Sequence, residues 1–596
     1  MKTSIIRILF LAVLLIGFCT PSCGQDWNGL TGFATFNDLG RCGVTGGGAG
    51  EVVHVKSRAE FTNYAMSSKP YVIIVDNDIE GGGVNDLQDE LHVASNKTII
   101  GAGTGVMFNG INLMAKNAHN IILRNIKLRK GRIDGVSFQN CQHIWIDHCD
   151  FSESYDGLLD FNEASDYITV SWTKLTKHDK TSLTNSGTAH YEDYNKNHIT
   201  FAHCMFADNV QRNPRIGYGK AHVYNCYWKN ISSYCIGFHS QAQVLSENNY
   251  FSSSAKNPFN NQYTDVLPYC GFLTDRGSYF ANGEPSKNYS HAYTDISYTP
   301  ETYYDYSFDL CSADDVLTTT VKGVGTIDGI QYEPILCPGN GAIDIPVSQQ
   351  LSWGKVDGAT SMKMYFGTDA ANMSEATPES VTLQPATRYY WKVVATVGGK
   401  EYPSPVYTFM TAAEQASNPY PADGMTDPWL RWPATGTDFC SPLPLQWRQA
   451  ADAKKYQVYL ATDETQLDNS FVGETSELAF NPGTLHVGNT YYWRVDVVKT
   501  DGTVVKGNVW SFSSPKSEWI AGRNEAEKLY PTAIAFLETN YSAAGRKDIA
   551  GDQGPGSVLG VWAGPEGRYA VETTVLAQTL GPNIYGFSVN DVLIDK

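Results

Sequence analysis

Positive charge is scarce in this chain: 44 lysines and arginines face 62 aspartates and glutamates, leaving a net charge of −18 over 596 residues. Nucleic acid and anionic membrane surfaces would both be repelled, so neither is expected as a partner. Long apolar runs are nearly absent as well. Ile8–Phe18 is the exception; it is too short to span a bilayer, and with Lys2 and Arg7 before it and small residues after it, it reads as an export signal over residues 1–24. The mature chain is expected to have no transmembrane span. Ser22-Cys23-Gly24 leaves two outcomes open, cleavage after a small-x-small triplet or lipidation at Cys23, so the expected location is secreted, periplasmic or a cell-surface lipoprotein. The 12 cysteines include no CxxC pair and no histidine at zinc-ligand spacing, which argues against zinc, while export permits disulfides. TGGGAG at Thr45–Gly50 lacks the Gly-Lys-Ser/Thr ending of a phosphate loop.

What the chain has instead is repetition. Short alternating apolar segments start at Ile121, Ile144, Ile168, Ile199, Ala221 and Val244, separated by 23, 24, 31, 22 and 23 residues. A strand recurring at that period, with turn residues between copies, is the signature of a solenoid. A right-handed parallel β-helix is expected over residues 26–332. Alignment of the copies puts Asn125, His148, Trp172, His203, Asn225 and Asn248 in one column and Ile126, Cys149, Thr173, Cys204, Cys226 and Asn249 in the next. The three cysteines of that second column read as small buried thiols. Ser57–Ser68 suggests a helix capping the first coil, with coils running from Thr98 to about Phe251.

A second pattern is interleaved with the first: DGVSF from Asp134, DGLLD from Asp156 and KTSLT from Lys180, then Arg212 in VQRNPR. With coils about 4.8 Å apart, Asp134, Asp156, Lys180 and Arg212 would line one groove within about 15 Å. Asp156 and Asp160 would share a face of a straight strand, with Asp134 one coil away.

WIDH (Trp145–His148), DGLLD, ITVSW, HDKTSL around Lys180, and RNPR followed by GKAHVYN resemble the motifs of the pectate lyase superfamily, polysaccharide lyase family one. GFA at Gly32, TGG at Thr45 and SNKTIIGAG at Ser95 resemble its opening segments in the same order. The resemblance implies a calcium-assisted β-elimination of polygalacturonate, an acidic polysaccharide. Removing a sugar C5 proton beside a C6 carboxylate requires that carboxylate to be neutralised, and Ca2+, a hard cation taking six to eight oxygen ligands, suits the task. The resemblance places the metal at Asp134, Asp156 and Asp160, and gives Lys180 and Arg212 the roles of gripping the substrate carboxylate and abstracting the proton. An arginine base is chemically demanding, and Lys180 is the other candidate. Two positions depart from the family pattern. Arg132 stands where an acid is common, and Gly217 where a second arginine is common, leaving Arg215 as a substitute substrate contact.

Beyond the solenoid, LSWGKVDGATSMKMYFGTD with YYWKVVA and VYTFMT is echoed by LQWRQAADAKKYQVYLATD with YYWRVDV and VWSFSS. Trp353, Trp391 and Phe409 match Trp447, Trp493 and Phe512, suggesting two β-sandwich modules, 333–413 and 416–515, that resemble fibronectin type III domains. Spacing is their expected role. Residues 516–596 suggest a helix at EAEKLYPTAIAFLE and then strands, with carbohydrate binding as one reading. A monomer is expected. Two other functions stand against the lyase: a polygalacturonan hydrolase, which needs paired carboxyl groups about the bond and whose Asp-Asp and Gly-His-Gly motifs are missing, and a non-catalytic glycan-binding solenoid.

Overall fold

The computed structural model describes residues 29–513 except 39–40, 49, 82–88, 186, 188–189, 191–192, 194–195, 263–270, 284, 286–295, 297, 329–335, 355, 357–358, 427–444, 484 and 486–488, together with the backbone of 530–539, 547–559, 587–589 and 592–595. The export signal and Cys23 lie outside these residues.

Three parallel sheets of ten, nine and eight strands wind through residues 51–280 as a β-helix. The first sheet holds the repeat read from the sequence, in the register that the period implied: Ile121, Ile144, Ile168, Ile199, Ala221, Val244 and Leu273 are lateral neighbours. Each eight-residue segment nevertheless divides between two sheets. Ile121–Leu128, for instance, contributes to His119–Arg124 of the first sheet and Ile126–Arg129 of the second, with Asn125 between them. The reason lies in the column of Asn125, His148, Trp172, His203, Asn225 and Asn248, all at φ between 46° and 57°. A left-handed residue at the same point of every coil turns the chain out of one sheet and into the next, a conformation asparagine tolerates better than most residues. Trp172 and His203 stack at 4.2 Å in this column, and His148 stacks on Trp172 at 5.8 Å.

Apolar side chains such as Ile144, Ile146, Phe161, Ile168 and Val170 point inward and form one continuous core. Phe206, Trp228, Phe251 and Phe280 ladder through it, with successive centroids 5.4, 4.5 and 5.0 Å apart. Cys149, Cys204 and Cys226 are free and buried as expected, whereas Cys311 and Cys337 are disulfide-bonded. The coils extend further than expected at both ends. Strands Glu51–Val55 and Tyr71–Val75 precede Thr98, and Phe259–Asn261, Phe272–Arg276 and Tyr279–Phe280 follow Phe251. The capping helix is Arg58–Ala65, its N-terminus closed by the Ser57 hydroxyl accepting from the Glu60 N–H, with Phe61 and Ala65 buried over the core.

The outer face of the first sheet is covered by residues 29–36 and 298–324. Thr169 and Thr200 hydroxyls accept from the N–H groups of Ala34 and Phe33, and Tyr304 reaches Thr200 and His222 at 2.9 and 2.8 Å. Asn225 ties this cover down: its side chain donates to the carbonyls of Cys311 and Asn248 and accepts from the Cys311 N–H. Asn225→Ala removes these bonds and places a less tolerant residue at φ 49°. We expect a loss of about 2 kcal/mol of stability, read as a lowered denaturation midpoint with unchanged activity per folded molecule; an unshifted midpoint would remove the column's structural role.

The two modules repeat one another in topology as well as sequence. In the first the main sheet runs Ala342–Ile345, Tyr407–Thr411, Arg388–Val397, Ala359–Gly367, Ser374–Ala376; in the second it runs Met425–Thr426, Val509–Ser513, Thr490–Lys499, Ala453–Ala461, Phe471–Thr475. Trp391 and Trp493 are fully buried at equivalent places in their cores. Both modules touch the cover on the first sheet. Arg388 pairs with Asp305 at 2.7 Å, and the Arg448 guanidinium lies 4.5 Å from the ring centroids of both Phe36 and Tyr303. Further on, Tyr530–Thr539 is a strand paired with Lys547–Leu559, where a helix was expected. Tyr530, Thr532, Ile534 and Phe536 alternate at period two, and that pattern prevails over the helical one. Among the described residues no helix is long and apolar enough to cross a membrane.

Candidate active site

The site lies on the outer face of the third sheet. Its strands Val136–Gln139, Gly157–Asn162, Lys180–Leu183 and Arg215–Gly217 are consecutive neighbours. Ser137, Asp160, Leu183 and Arg215 form one lateral row, and Lys180 lies beside Gly157 on one side and Gln211 on the other. The long 31-residue repeat inserts its extra residues between Leu183 and Ile199, at this edge of the fold.

Asp134 and Asp160 converge on Gly157. A Cβ on that glycine would sit 2.3 Å from Asp160 Oδ2 and 2.9 Å from Asp134 Oδ1, so the missing side chain is what lets two carboxylates face one another. Asp134 Oδ1 accepts from the Gly157 N–H at 2.9 Å and Asp160 Oδ1 from the Leu183 N–H at 3.0 Å. Burial and the neighbouring acids push the Asp134 carboxyl up, and burial and the Asp134 charge push Asp160 well above the usual carboxylate range. Arg212 pulls both the other way.

Asp156 behaves differently from its two partners. It is half-exposed and gives Oδ1 to Lys180 Nζ at 2.6 Å, so the two residues neutralise one another. His178, nearly buried, donates from Nε2 to the Asp156 carbonyl at 2.6 Å and so fixes the turn that presents Asp156. Burial, more than these neighbours, keeps His178 below its ordinary pKa and hence neutral. His178 stands in the HDKTSL motif already noted, but its positioning role needed the cross-coil contact to be visible.

Arg212 sits at φ 58°. Its carbonyl accepts from the Ser182 N–H at 2.8 Å, and the next residue, Asn213, is buried and clasped: its amide donates to the Tyr234 carbonyl and its backbone carbonyl accepts from Trp228 Nε1. The backbone is therefore held while the guanidinium is left unpaired. In the solenoid Arg58, Arg124, Arg129 and Arg276 each pair with a carboxylate. Arg132, Arg212 and Arg215 pair with none among the described residues, and each has a buried Nε without a hydrogen-bond partner. Arg215 lies in the row of Asp160, and Arg132 and Arg212 lie in the turns that lead into strands of this sheet. In a chain of net charge −18, cations without counter-ions mark where an anion can bind.

Gly217 leaves no space for the arginine that the family pattern suggested. A Cβ there would meet His239 Cε1 at 2.6 Å and Asn185 at 2.8 Å, whereas Arg215, two residues earlier, shares the row of Asp160. Burial and the two arginines press the His239 pKa down to about 3, so it adds no charge. His239 was not anticipated; the signal that could have found it is its strand, Ile236–His239, one coil beyond Arg215–Gly217.

The donor set suits a hard cation. Two facing carboxylates whose charges oppose one another in a buried setting gain from a divalent ion between them, and no thiol or imidazole competes. Among the described residues no group of three or more His, Cys, Asp and Glu is placed to hold a metal ion, and Asp156 is paired with Lys180 rather than joined to Asp134 and Asp160. Asp134 and Asp160 are the two facing carboxylates that could contribute to holding such an ion.

The fold is thus a stacked three-sheet solenoid with facing acids and, among the described residues, unpaired arginines beside its third sheet. A pectate lyase family model matches residues 25–326, half of the chain. The chain is 35% identical over 240 residues to a pectate trisaccharide-lyase of Thermotoga maritima, covering 38% of this chain and 63% of that protein. It is 33% identical over 305 residues to pectate lyase A of Emericella nidulans, covering 49% of this chain and 85% of that one. A solved pectate lyase from Bacillus sp. N165, in complex with trigalacturonate, is 28% identical with a TM-score of 0.43, covering 50% of this chain and 99% of that one. The chain belongs to the pectate lyase family of polysaccharide lyases.

Proposed function

We propose that this protein is an exported pectate lyase that cleaves polygalacturonate by calcium-assisted β-elimination. The observation that carries the reading is the concentration of unpaired arginines beside the Asp134–Asp160 pair on the third sheet of a solenoid of this family. Asp134, Asp156 and Asp160 would hold the ion. When bound, calcium would neutralise a substrate C6 carboxylate and so make the neighbouring C5 proton easier to remove.

The chain's own residues do the rest. Arg215, in the row of Asp160, and Lys180, at the start of the neighbouring strand beside Gly157, hold uronate carboxylates, so the reacting sugar is oriented before any bond breaks. Arg212 takes the C5 proton; the electron pair forms the C4–C5 double bond, the C4–O4 bond breaks, and the departing oxygen is protonated from solvent. The arginine must be neutral as it attacks, which exclusion of water by the bound chain and the neighbouring cations favour. Lys180 is the weaker base candidate, because its Nζ is engaged by Asp156. The two modules, resembling fibronectin type III domains, act as spacers, and residues 1–24 direct export.

The test uses the full chain. Incubated with polygalacturonate, it is expected to release unsaturated product, detected by ultraviolet absorbance, and to stop when calcium is chelated and resume when it is restored. Cleavage that persists in chelator removes the metal from the reading, saturated ends identify a hydrolase, and binding without cleavage identifies a glycan-binding solenoid.

A further inference from the structure

Arg132 is not used by the reaction just described, yet it has the same peculiarity as the two arginines that are. Its Nε is buried without a hydrogen-bond partner, and the acids around it are engaged elsewhere, Asp134 by the Gly157 N–H and Asp156 by Lys180. It lies in the turn between strands Ile126–Arg129 and Val136–Gln139. The next coil runs directly alongside, with the Tyr155 N–H donating to the Gly131 carbonyl at 3.1 Å and the Asp156 N–H to the Ile133 carbonyl at 2.7 Å. Tyr155 is 78% exposed, more than any other large apolar side chain described. An unpaired guanidinium and a bare aromatic ring therefore stand on adjacent coils, about 4.8 Å apart along the solenoid. Arg132 is on the coil of Asp134, the acid farther from Arg212, and Tyr155 is on the coil of Asp160.

We propose that Arg132 and Tyr155 form a further uronate subsite, the guanidinium binding a free sugar carboxylate and the ring covering the sugar's apolar face. Guanidinium matches carboxylate by its planar fork, and tyrosine offers a broad flat surface with a polar edge. Arg132 is two coils from Lys180 and three from Arg212, about 10 and 15 Å, so a chain held at both ends starts level with Asp134 and crosses the coil of Asp160. The subsite selects for a non-esterified residue at that distance from the cleaved bond. This inference rests on the pectate lyase reading and adds to it the chain's anchoring and its ester discrimination.

Binding and turnover separate the two. By calorimetry with hexagalacturonate, Arg132→Gln is expected to weaken binding about tenfold, the worth of one charge-assisted hydrogen bond, and to leave binding of the fully methyl-esterified hexasaccharide unchanged. Arg132→Lys recovers part of the loss. Tyr155→Ala weakens both ligands alike. On polygalacturonate the Arg132→Gln loss falls on KM and much less on kcat. Equal loss on both ligands, or a lowered melting temperature with unchanged affinity, overturns the subsite. A wild-type protein that binds hexagalacturonate in an Arg132-dependent way but yields no unsaturated product overturns the lyase reading and keeps the subsite.

Discussion

Arg212→Lys is expected to lower kcat on polygalacturonate by about two orders of magnitude or more, the scale of a lost acid–base group, while KM changes far less. Lysine preserves the charge, so the field that Arg212 exerts on Asp134 and Asp160 survives. It loses the planar fork and its reach. The backbone should not respond, because the Arg212 carbonyl is fixed by Ser182 and Asn213 is clasped by Tyr234 and Trp228 whatever side chain stands between them. An unchanged melting temperature together with the kcat loss would place the defect in proton transfer. Turnover near the wild-type rate would show that Arg212 is not the base and would return Lys180 to consideration.

Asp160→Asn is expected to raise the calcium concentration needed for half-maximal activity by about a hundredfold, since ligand charge sets affinity at such sites. Asparagine keeps the shape and the acceptor that the Leu183 N–H uses, and it removes one of two facing charges. Folding should gain rather than suffer in chelator. Burial and the Asp134 charge hold the Asp160 carboxyl well above its usual range, so ionising it costs stability in the metal-free protein. That cost is present when pH is above the raised folded value and disappears as pH falls through it. Metal-free wild type should accordingly become more stable on acidification through that window, and the variant should lack the gain. Urea unfolding in chelator across a pH series measures both. If half-activation by calcium is unmoved in the variant, Asp160 is not a ligand.

Much of this was legible from residues 98–251 alone. A side chain repeated every 22 to 24 residues must stack on its copies if the chain coils, so Ile121, Ile144 and Ile168 announced both the solenoid and its register. The same spacing brought Asp134, Asp156, Lys180 and Arg212 to one face. The matched module sequences put Trp391 and Trp493 at equivalent places, and the structure showed that both are fully buried there. The first and last coils were missed because their strands, Glu51–Val55 and Phe259–Asn261 among them, lack the repeated motif that made the central ones conspicuous.

The sequence could not determine which of these charges meet. Period places residues along the axis of the solenoid, and it is silent on rotamers and on what a neighbouring coil offers. Only the tertiary structure opposed Asp134 to Asp160 across the bare Cα of Gly157, gave Asp156 to Lys180, and blocked Gly217 with His239 and Asn185. Among the described residues it likewise left Arg132, Arg212 and Arg215 without counter-ions while pairing Arg58, Arg124, Arg129 and Arg276. The physical reason is distance. Charge interactions in a partly buried setting change steeply over a few ångströms, a scale finer than the spacing of one coil from the next.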